Sequence, residues 1–430
     1  MEGKKLETLV MKFGGTSVGT PESMAQTAAI VKTQRTSTPR VVAVTSALSG
    51  VTDLLLNSAT AATRGDLETS QQAVQAIRSK HQAILKALVE DPAAREKVQG
   101  EISMLILDFS NLCQAIAVLG EATPRALDAV ASLGERMAVR VLAAALNNLG
   151  VQAEAVEATR LIVTDDHFQS AHPDLEASSD AIRAGLNPLL EAGIVPVVTG
   201  FIGATSGGVT TTLGRGGSDY TGALLGAALP ADEVWIWTDV NGVMTADPRI
   251  VPAASTIDEL TYREVSELAY AGAKVLHPKT IRPVIEAGIG LRVLNTFEPQ
   301  NAGTRLVSEL PAQAQGFVKS ITTVRGQSLV TLEGRGMLGV PGVAARLFAA
   351  IASTQTSVTL ISQASSEQSI CFAVPVQNAQ KVVDTICNEF YREMQRKDID
   401  RVWATDEVVI ATVVGEGMKS TPGVAGQIFS

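Results

Sequence analysis

The sequence predicts an α/β protein, a mainly parallel sheet sandwiched by helices and followed by compact α+β modules, and three observations predict it. Short apolar runs recur from the start of the chain, at Leu9–Phe13, Val41–Val44, Val195–Val198, Val234–Trp237 and Leu291–Leu294. They are continuous rather than alternating, as strands covered on both faces require. Helical spacing fills the gaps between them, as in Val74, Ile77, Ile84, Leu85 and Leu88. Beyond about residue 305 the pattern shortens to strand–helix–strand units that repeat.

These elements divide the chain. Residues 1–305 form one α/β domain. The turn-rich stretches Asn301-Ala302-Gly303-Thr304 and Pro311-Ala312-Gln313 carry no apolar period, which places a linker at 306–320. Thr331, Gly334, Gly336, Met337, Pro341, Gly342, Val343, Ala344 and Phe348 then recur as Thr412, Gly415, Gly417, Met418, Pro422, Gly423, Val424, Ala425 and Phe429, every pair 81 positions apart. An ungapped register of that length marks a repeat. The first module is placed at 321–400 and the start of a second, incomplete one at 401–430. A unit cut in its first helix cannot bury its own apolar face. The expectation is therefore a chain cut within its second unit, or one completed by something else.

Bulk composition narrows the function. The 430 residues are 46% hydrophobic and 18% charged, ordinary for a globular protein. A net charge of −9 without a basic cluster excludes nucleic acid as the expected partner. No uninterrupted apolar run reaches a bilayer's width and the start lacks a leader pattern, so no membrane association is expected and the cytoplasm is the expected compartment. Cys113, Cys371 and Cys387 are widely separated and read as buried, reduced thiols. His167 and His172 stand five apart, which does not stack them on a helical face, so no metal site is expected there.

Four segments could carry chemistry. Lys12-Phe13-Gly14-Gly15-Thr16-Ser17 follows the first strand. Paired glycines there let backbone N–H groups approach phosphate oxygens, and Lys12 supplies a charge. A tight turn with a surface lysine is the structural alternative, and no P-loop spacing follows. Leu213-Gly214-Arg215-Gly216-Gly217-Ser218-Asp219-Tyr220-Thr221 offers a guanidinium for a carboxylate and Asp219 as a possible helix cap. Trp237 through Arg249 begins at a strand's carboxyl end, where open α/β sheets bind ligands, although Asn241-Gly242 is also a plain turn signal. Gly272-Ala273-Lys274-Val275-Leu276-His277-Pro278 presents another lysine, with His277 read as structural. Gly334-Arg335-Gly336-Met337-Leu338-Gly339 fits a dinucleotide pattern, but Thr359 stands where an acidic residue is needed, so it reads as a turn.

Taken together, the four segments resemble the aspartate kinases of the amino-acid kinase family, over essentially the whole chain. The repeated units look like the ferredoxin-like ACT modules that bind end-product amino acids in that family. The resemblance implies the amino-acid kinase fold and phosphorylation of the β-carboxylate of L-aspartate by ATP with Mg2+, under feedback control through the ACT modules. It implies that Lys12, Gly14 and Gly15 hold the ATP phosphates, with Lys274 and Val275 also at the nucleotide. Thr238, Asp239, Met244 and Arg249 match the part that holds adenine and ribose; many relatives carry a tyrosine where Met244 stands. Thr52, Glu135, Arg215, Gly216, Gly217 and Ser218 fall on aspartate-binding positions, and Asp219 on the organiser of the catalytic centre. No protein-built metal site is implied. Leu360 through Glu367 looks like the first module of threonine-sensitive bifunctional aspartokinase–homoserine dehydrogenases, where Gln363 would contact the effector, threonine or lysine. Pairing of ACT modules across subunits implies a homodimer. The alternatives are a sibling kinase acting on another carboxylate and a catalytically silent amino-acid sensor.

Overall fold

The computed structural model describes residues 6–273, 276, 278–310, 318–363, 368–419 and 421–430. By compactness the chain divides into two units, one of Met1–Tyr270, Lys274–Lys319 and Gly415–Ser430, the other of Ala271–Ala273 and Ser320–Val414.

In the first unit, β1 (Thr8–Phe13) is buried along its whole length, which is why its sequence is continuously apolar apart from Thr8 and Lys12. Helix α1 (Pro21–Ser37) opens with a reciprocal cap between Thr20 and Ser23 and a proline in its first position. It leads into β2 (Arg40–Thr45) and then a run of four helices, α2 (Val51–Ala62), α3 (Glu68–Leu88), α4 (Pro92–Leu119) and α5 (Pro124–Asn148). Helices α4 and α5 start by the same device, a side chain (Asp91, Thr123) accepting backbone N–H groups just before a proline. The chain continues through β3 (Ala153–Val156), β4 (Val163–Thr164), α6 (Leu175–Glu191), β5 (Val195–Thr199), β6 (Ile202–Thr205), β7 (Thr210–Thr212) and α7 (Gly217–Ala228). It ends with β8 (Glu233–Thr238), β9 (Glu259–Thr261), α8 (Tyr262–Tyr270), α9 (Pro278–Glu286), β10 (Gly290–Asn295) and β11 (Thr304–Val307).

The main sheet has the order β3-β5-β2-β1-β8-β10-β11-β9. Its neighbours are parallel except β10 and β11, and the expected strands are all found. Strands β4, β6 and β7 form a separate small sheet. One core joins Leu9, Met11 and Phe13 to Phe109, Met137 and Leu142; α5 lies against β2, β3 and β5, and α4 packs on α5. Helix α4 is long and apolar enough to cross a membrane, by length and composition. This departs from the expectation drawn from uninterrupted runs, because polar residues interrupt the stretch without lowering its average. Its Ile102, Ile106, Phe109 and Cys113 lie buried in the core, while Met104, Leu107, Val118 and Leu119 are exposed.

In the second unit, β12 (Ser320–Glu333), α10 (Val343–Ser353), β13 (Leu360–Gln363), β14 (Ser369–Pro375), α11 (Val376–Glu389), α12 (Tyr391–Arg396), β15 (Arg401–Ala404) and β16 (Val408–Val414) follow in order. Strands β14 and β15 flank the second half of β12, whereas β16 pairs mostly with its first half. Strand β15 thus joins the same sheet as β12, β13 and β14. The repeat is visible as geometry. Gly342 and Gly423 precede α10 and α13 (Val424–Phe429) with φ of 88° and 86°, a left-handed backbone that glycine adopts without strain. Of the three thiols, Cys113 is buried while Cys371 and Cys387 are only partly so, which corrects the expectation for those two.

Candidate functional site

The carboxyl ends of β1, β2, β5 and β8 lie side by side in the first unit, the edge where open α/β sheets place ligands. Lys12 is the next-to-last residue of β1. Its Nζ lies 2.6 Å from Asp219 Oδ1, with both side chains mostly buried. The Lys12 stem packs beside Gly222, where a Cβ would stand at 3.4 Å, an ordinary contact distance. In sequence, Asp219 stands where a helix cap is expected. It lies within the first turn of α7, which has no side-chain cap, and pairs with Lys12 instead, where the helix N-terminus also favours its charge.

The strand-to-helix turn after β1 is held by backbone bonds. Gly14 N donates to the Trp237 carbonyl at 3.1 Å, and Ser49 N donates to the Gly15 carbonyl at 3.1 Å. A Cβ on Gly15 would stand 3.0 Å from the Ala47 carbonyl oxygen, so the two loops touch backbone to backbone. Lys80, which sequence reasoning passed over, donates to the Ser49 carbonyl at 2.9 Å.

Glu135 projects from α5 and is 3% exposed. One carboxylate oxygen accepts the Ala47 N–H at 3.2 Å; the other is buried without a hydrogen-bond partner among the described residues. Burial, only partly opposed by that bond, pushes its pKa up to about 8. Asp128, two helical turns earlier on α5, is 1% exposed, and burial raises its pKa against the bonds from Gln169 and Thr212.

The glycine-rich segment is explained by close approach. A Cβ on Gly200 would meet Ser218 at 2.6 Å, and one on Gly217 would meet the Phe201 ring at 2.8 Å. The end of β5 therefore packs directly on the first turn of α7. Gly200→Ala is expected to displace that turn with Asp219 in it, lowering turnover at least tenfold with a smaller loss in melting temperature; steady-state kinetics beside a thermal melt check this.

A cavity of about 430 Å3 collects these groups. Lys12, Gly15, Thr52, Glu135, Arg215, Gly216, Gly217, Ser218 and Asp219 all line it. Ser46, Ala47, Asp53 and Phe201 line it too and were not foreseen; Phe201 has φ of 69° with no local signal to betray it. Arg215 is exposed at the rim. Thr238, Asp239, Met244 and Arg249 do not line this cavity and lie in and after the end of β8. There Met244 bridges to Thr256, and the exposed Arg249 is paired with Asp247 at 2.6 Å. Gly242 in that loop is no hairpin; it packs against Thr304, whose hydroxyl accepts Val243 N at 2.8 Å. Lys274, Val275 and His277 lie outside the described residues. Gln363 is exposed on β13 of the second unit.

A larger cavity of about 700 Å3 lies by β9–β11. Its cations are already matched, Arg292 to Glu233, Arg305 to Glu259 and Lys319 to Glu264. The smaller cavity holds the groups suited to chemistry. Among the described residues no cluster of three or more metal-ligating side chains exists, and His172 pairs with Asp165 at 3.0 Å.

Comparison with known proteins identifies relatives over nearly the whole chain. The amino acid kinase family profile matches residues 7–295, and the ACT domain profile residues 330–390. The chain is 35% identical over 98% of its length to the chloroplastic bifunctional aspartokinase/homoserine dehydrogenase 2 of Zea mays, of which it covers 46%. It spans about half the length of the bifunctional relatives it matches. It is 34% identical to the lysine-sensitive aspartokinase 3 of Escherichia coli, over 98% of this chain and 90% of that one. The crystal structure of E. coli aspartokinase III in complex with aspartate and ADP superposes with a TM-score of 0.80 at 32% identity, over 98% of this chain and 91% of that chain. By the family profile and these relatives, the chain belongs to the amino acid kinase family, among its aspartokinases.

Proposed function

We propose that the chain transfers the γ-phosphoryl group of ATP to the β-carboxylate of L-aspartate. The observation that carries this reading is a single cavity in which the Lys12–Asp219 pair stands beside a buried, half-partnered Glu135 and an exposed Arg215. Glu135 suits an ammonium group, and Arg215 a carboxylate held by two parallel bonds. A substrate gripped at both ends of its α-amino-acid part turns its side-chain carboxylate toward Lys12. That carboxylate, with an ordinary pKa of about 3.9, is already ionised. An oxygen of it attacks the γ-phosphorus, the bridging bond to the β-phosphate breaks, and ADP leaves with the bridging oxygen. No general base is needed, which fits a cavity with no histidine among its described lining residues.

The residues then act by position and charge. Lys12, with Lys274 as a second lysine, draws two anions together, and Gly14 and Gly15 bring backbone close to the phosphates. Asp219 orients the Lys12 ammonium. Mg2+ would arrive on the nucleotide phosphates, with Asp219 as the cavity carboxylate placed to meet it, and it would supply neutralisation of phosphate charge. Thr238, Asp239, Met244 and Arg249 would serve adenine and ribose.

The 330–390 match to an ACT domain and the lysine-sensitive relative support feedback by lysine or threonine, with Gln363 as an effector contact. Exposed Leu338, Val340, Leu360 and Ile361 of the second unit support homodimer formation through it. The three free thiols suit the reducing cytoplasm. Coupled detection of ADP tests the activity. Release is expected to require L-aspartate and Mg2+ and to be absent with L-glutamate or a nucleoside monophosphate. ADP release indifferent to aspartate would refute the reading.

A further inference from the structure

We propose that Asp128 is a positioning residue for aspartate recognition, fixing the turn that carries Arg215 relative to Glu135. Helix α5 brings both carboxylates to the site, seven residues apart. That is two turns along one face, about 10 Å. Glu135 faces the cavity directly; Asp128 does so through the backbone it holds.

Its carboxylate, 1% exposed, takes four bonds from three donors. Gln169 N reaches both oxygens at 3.0 and 3.1 Å, Thr212 N reaches Oδ2 at 2.9 Å, and Thr212 Oγ1 reaches Oδ1 at 2.8 Å. Ala171 N closes the connection onto the Thr212 carbonyl at 2.9 Å. Thr212 is the last residue of β7, three before Arg215. Gln169 has φ of 70°, a left-handed backbone unfavourable for a residue with a Cβ. Something must hold it there, and the carboxylate does. The held loop in turn walls the Arg215 turn, because a Cβ on Gly214 would stand 3.1 Å from the Gln169 carbonyl oxygen and 3.2 Å from Ser170 Oγ. Gly214 itself has φ of 74°. Without the carboxylate, the buried Thr212 N–H and the part-buried Gln169 N–H lose their acceptor, Gln169 relaxes, and the wall behind Gly214 moves.

The proposal rests on the aspartate kinase reading and sharpens it, assigning the substrate's α-carboxylate geometry to a residue that never touches it. The test is steady-state kinetics of the whole chain with both substrates varied. Asp128→Ala is expected to raise the aspartate KM about 10- to 30-fold while leaving the ATP KM within about twofold. Asp128→Asn is expected to stay within about threefold of the parent, since its amide oxygen can serve Gln169 N and Thr212 N while its NH2 meets Thr212 Oγ1. Adding Gln169→Gly to Asp128→Ala is expected to recover part of the loss, glycine adopting φ of 70° unaided. Should Asp128→Ala not fold, Thr212→Val removes one donor and is expected to raise the aspartate KM about 3- to 5-fold. An active parent whose aspartate KM is unchanged in the folded alanine or valine variant would overturn the positioning role alone. The same holds for a variant in which both KM values shift together. A parent inactive with aspartate would overturn the functional reading beneath it.

Discussion

Replacing Lys12 by methionine is expected to lower turnover by about 10^3-fold, the scale of losing one preorganised charge at a transition state. The methionine keeps the stem that packs under Gly222 and removes only the ammonium. Two consequences follow. The phosphates lose the cation at the end of β1, and Asp219 loses the partner 2.6 Å away. Breaking a fully buried pair costs about 3–5 kcal/mol, but this pair lines an open cavity, so water can reach the stranded carboxylate. The melting temperature is therefore expected to move by a few degrees while turnover collapses. Stopped-time ADP assays beside a thermal melt of the same preparation check both. Near-parental turnover in a folded variant would remove Lys12 from the chemistry.

The second large effect concerns Glu135. Glu135→Gln is expected to reduce kcat/KM for aspartate by about 10^2- to 10^3-fold, the cost of leaving the substrate ammonium without its counter-charge in a buried site. The pH dependence is more specific still. With its pKa near 8, Glu135 holds a proton in the free protein at neutral pH, and binding an ammonium must expel it. Each unit below that pKa costs about 1.4 kcal/mol of affinity. Apparent aspartate affinity is thus expected to rise roughly tenfold from pH 7 to pH 8.5, and the glutamine variant to show no such rise. Stability has the opposite sign. The unfolded chain releases this proton in the ordinary carboxylate range while the folded chain keeps it to about pH 8, so this group's contribution falls as pH rises between the two values. Ligand-free Glu135→Gln is expected to gain melting temperature over the parent at pH 9 and little at pH 5. Calorimetric titration with aspartate and melts across that range read both effects.

The sheet was legible because a strand buried on both faces leaves a continuous apolar run, and β1, β2, β5, β8 and β10 each left one. The repeat was legible because both copies need the same left-handed glycine before a helix, at Gly342 and Gly423. The glycine segment around Arg215 was legible as backbone crowding, though not what crowds it. Phe201 and Ser218 come together only in the folded sheet. Asp219 has the sequence context of a cap and the tertiary context of an ion pair, and only the second is visible when β1 and α7 meet. Asp128 has no local mark at all, because its donors lie 41 and 84 residues away. The pairing of β15 with β12 was not legible, because a repeat register locates copies and not the sheet edge on which each strand pairs.

A crystal structure of the chain with L-aspartate and ADP tests most directly whether these groups form one site. The account predicts the α-carboxylate on Arg215, the ammonium on the free oxygen of Glu135, and the side-chain carboxylate facing the ADP phosphates across Lys12. Aspartate seated elsewhere, for instance in the cavity by Arg292 and Arg305, with Glu135 and Lys12 untouched, would contradict it.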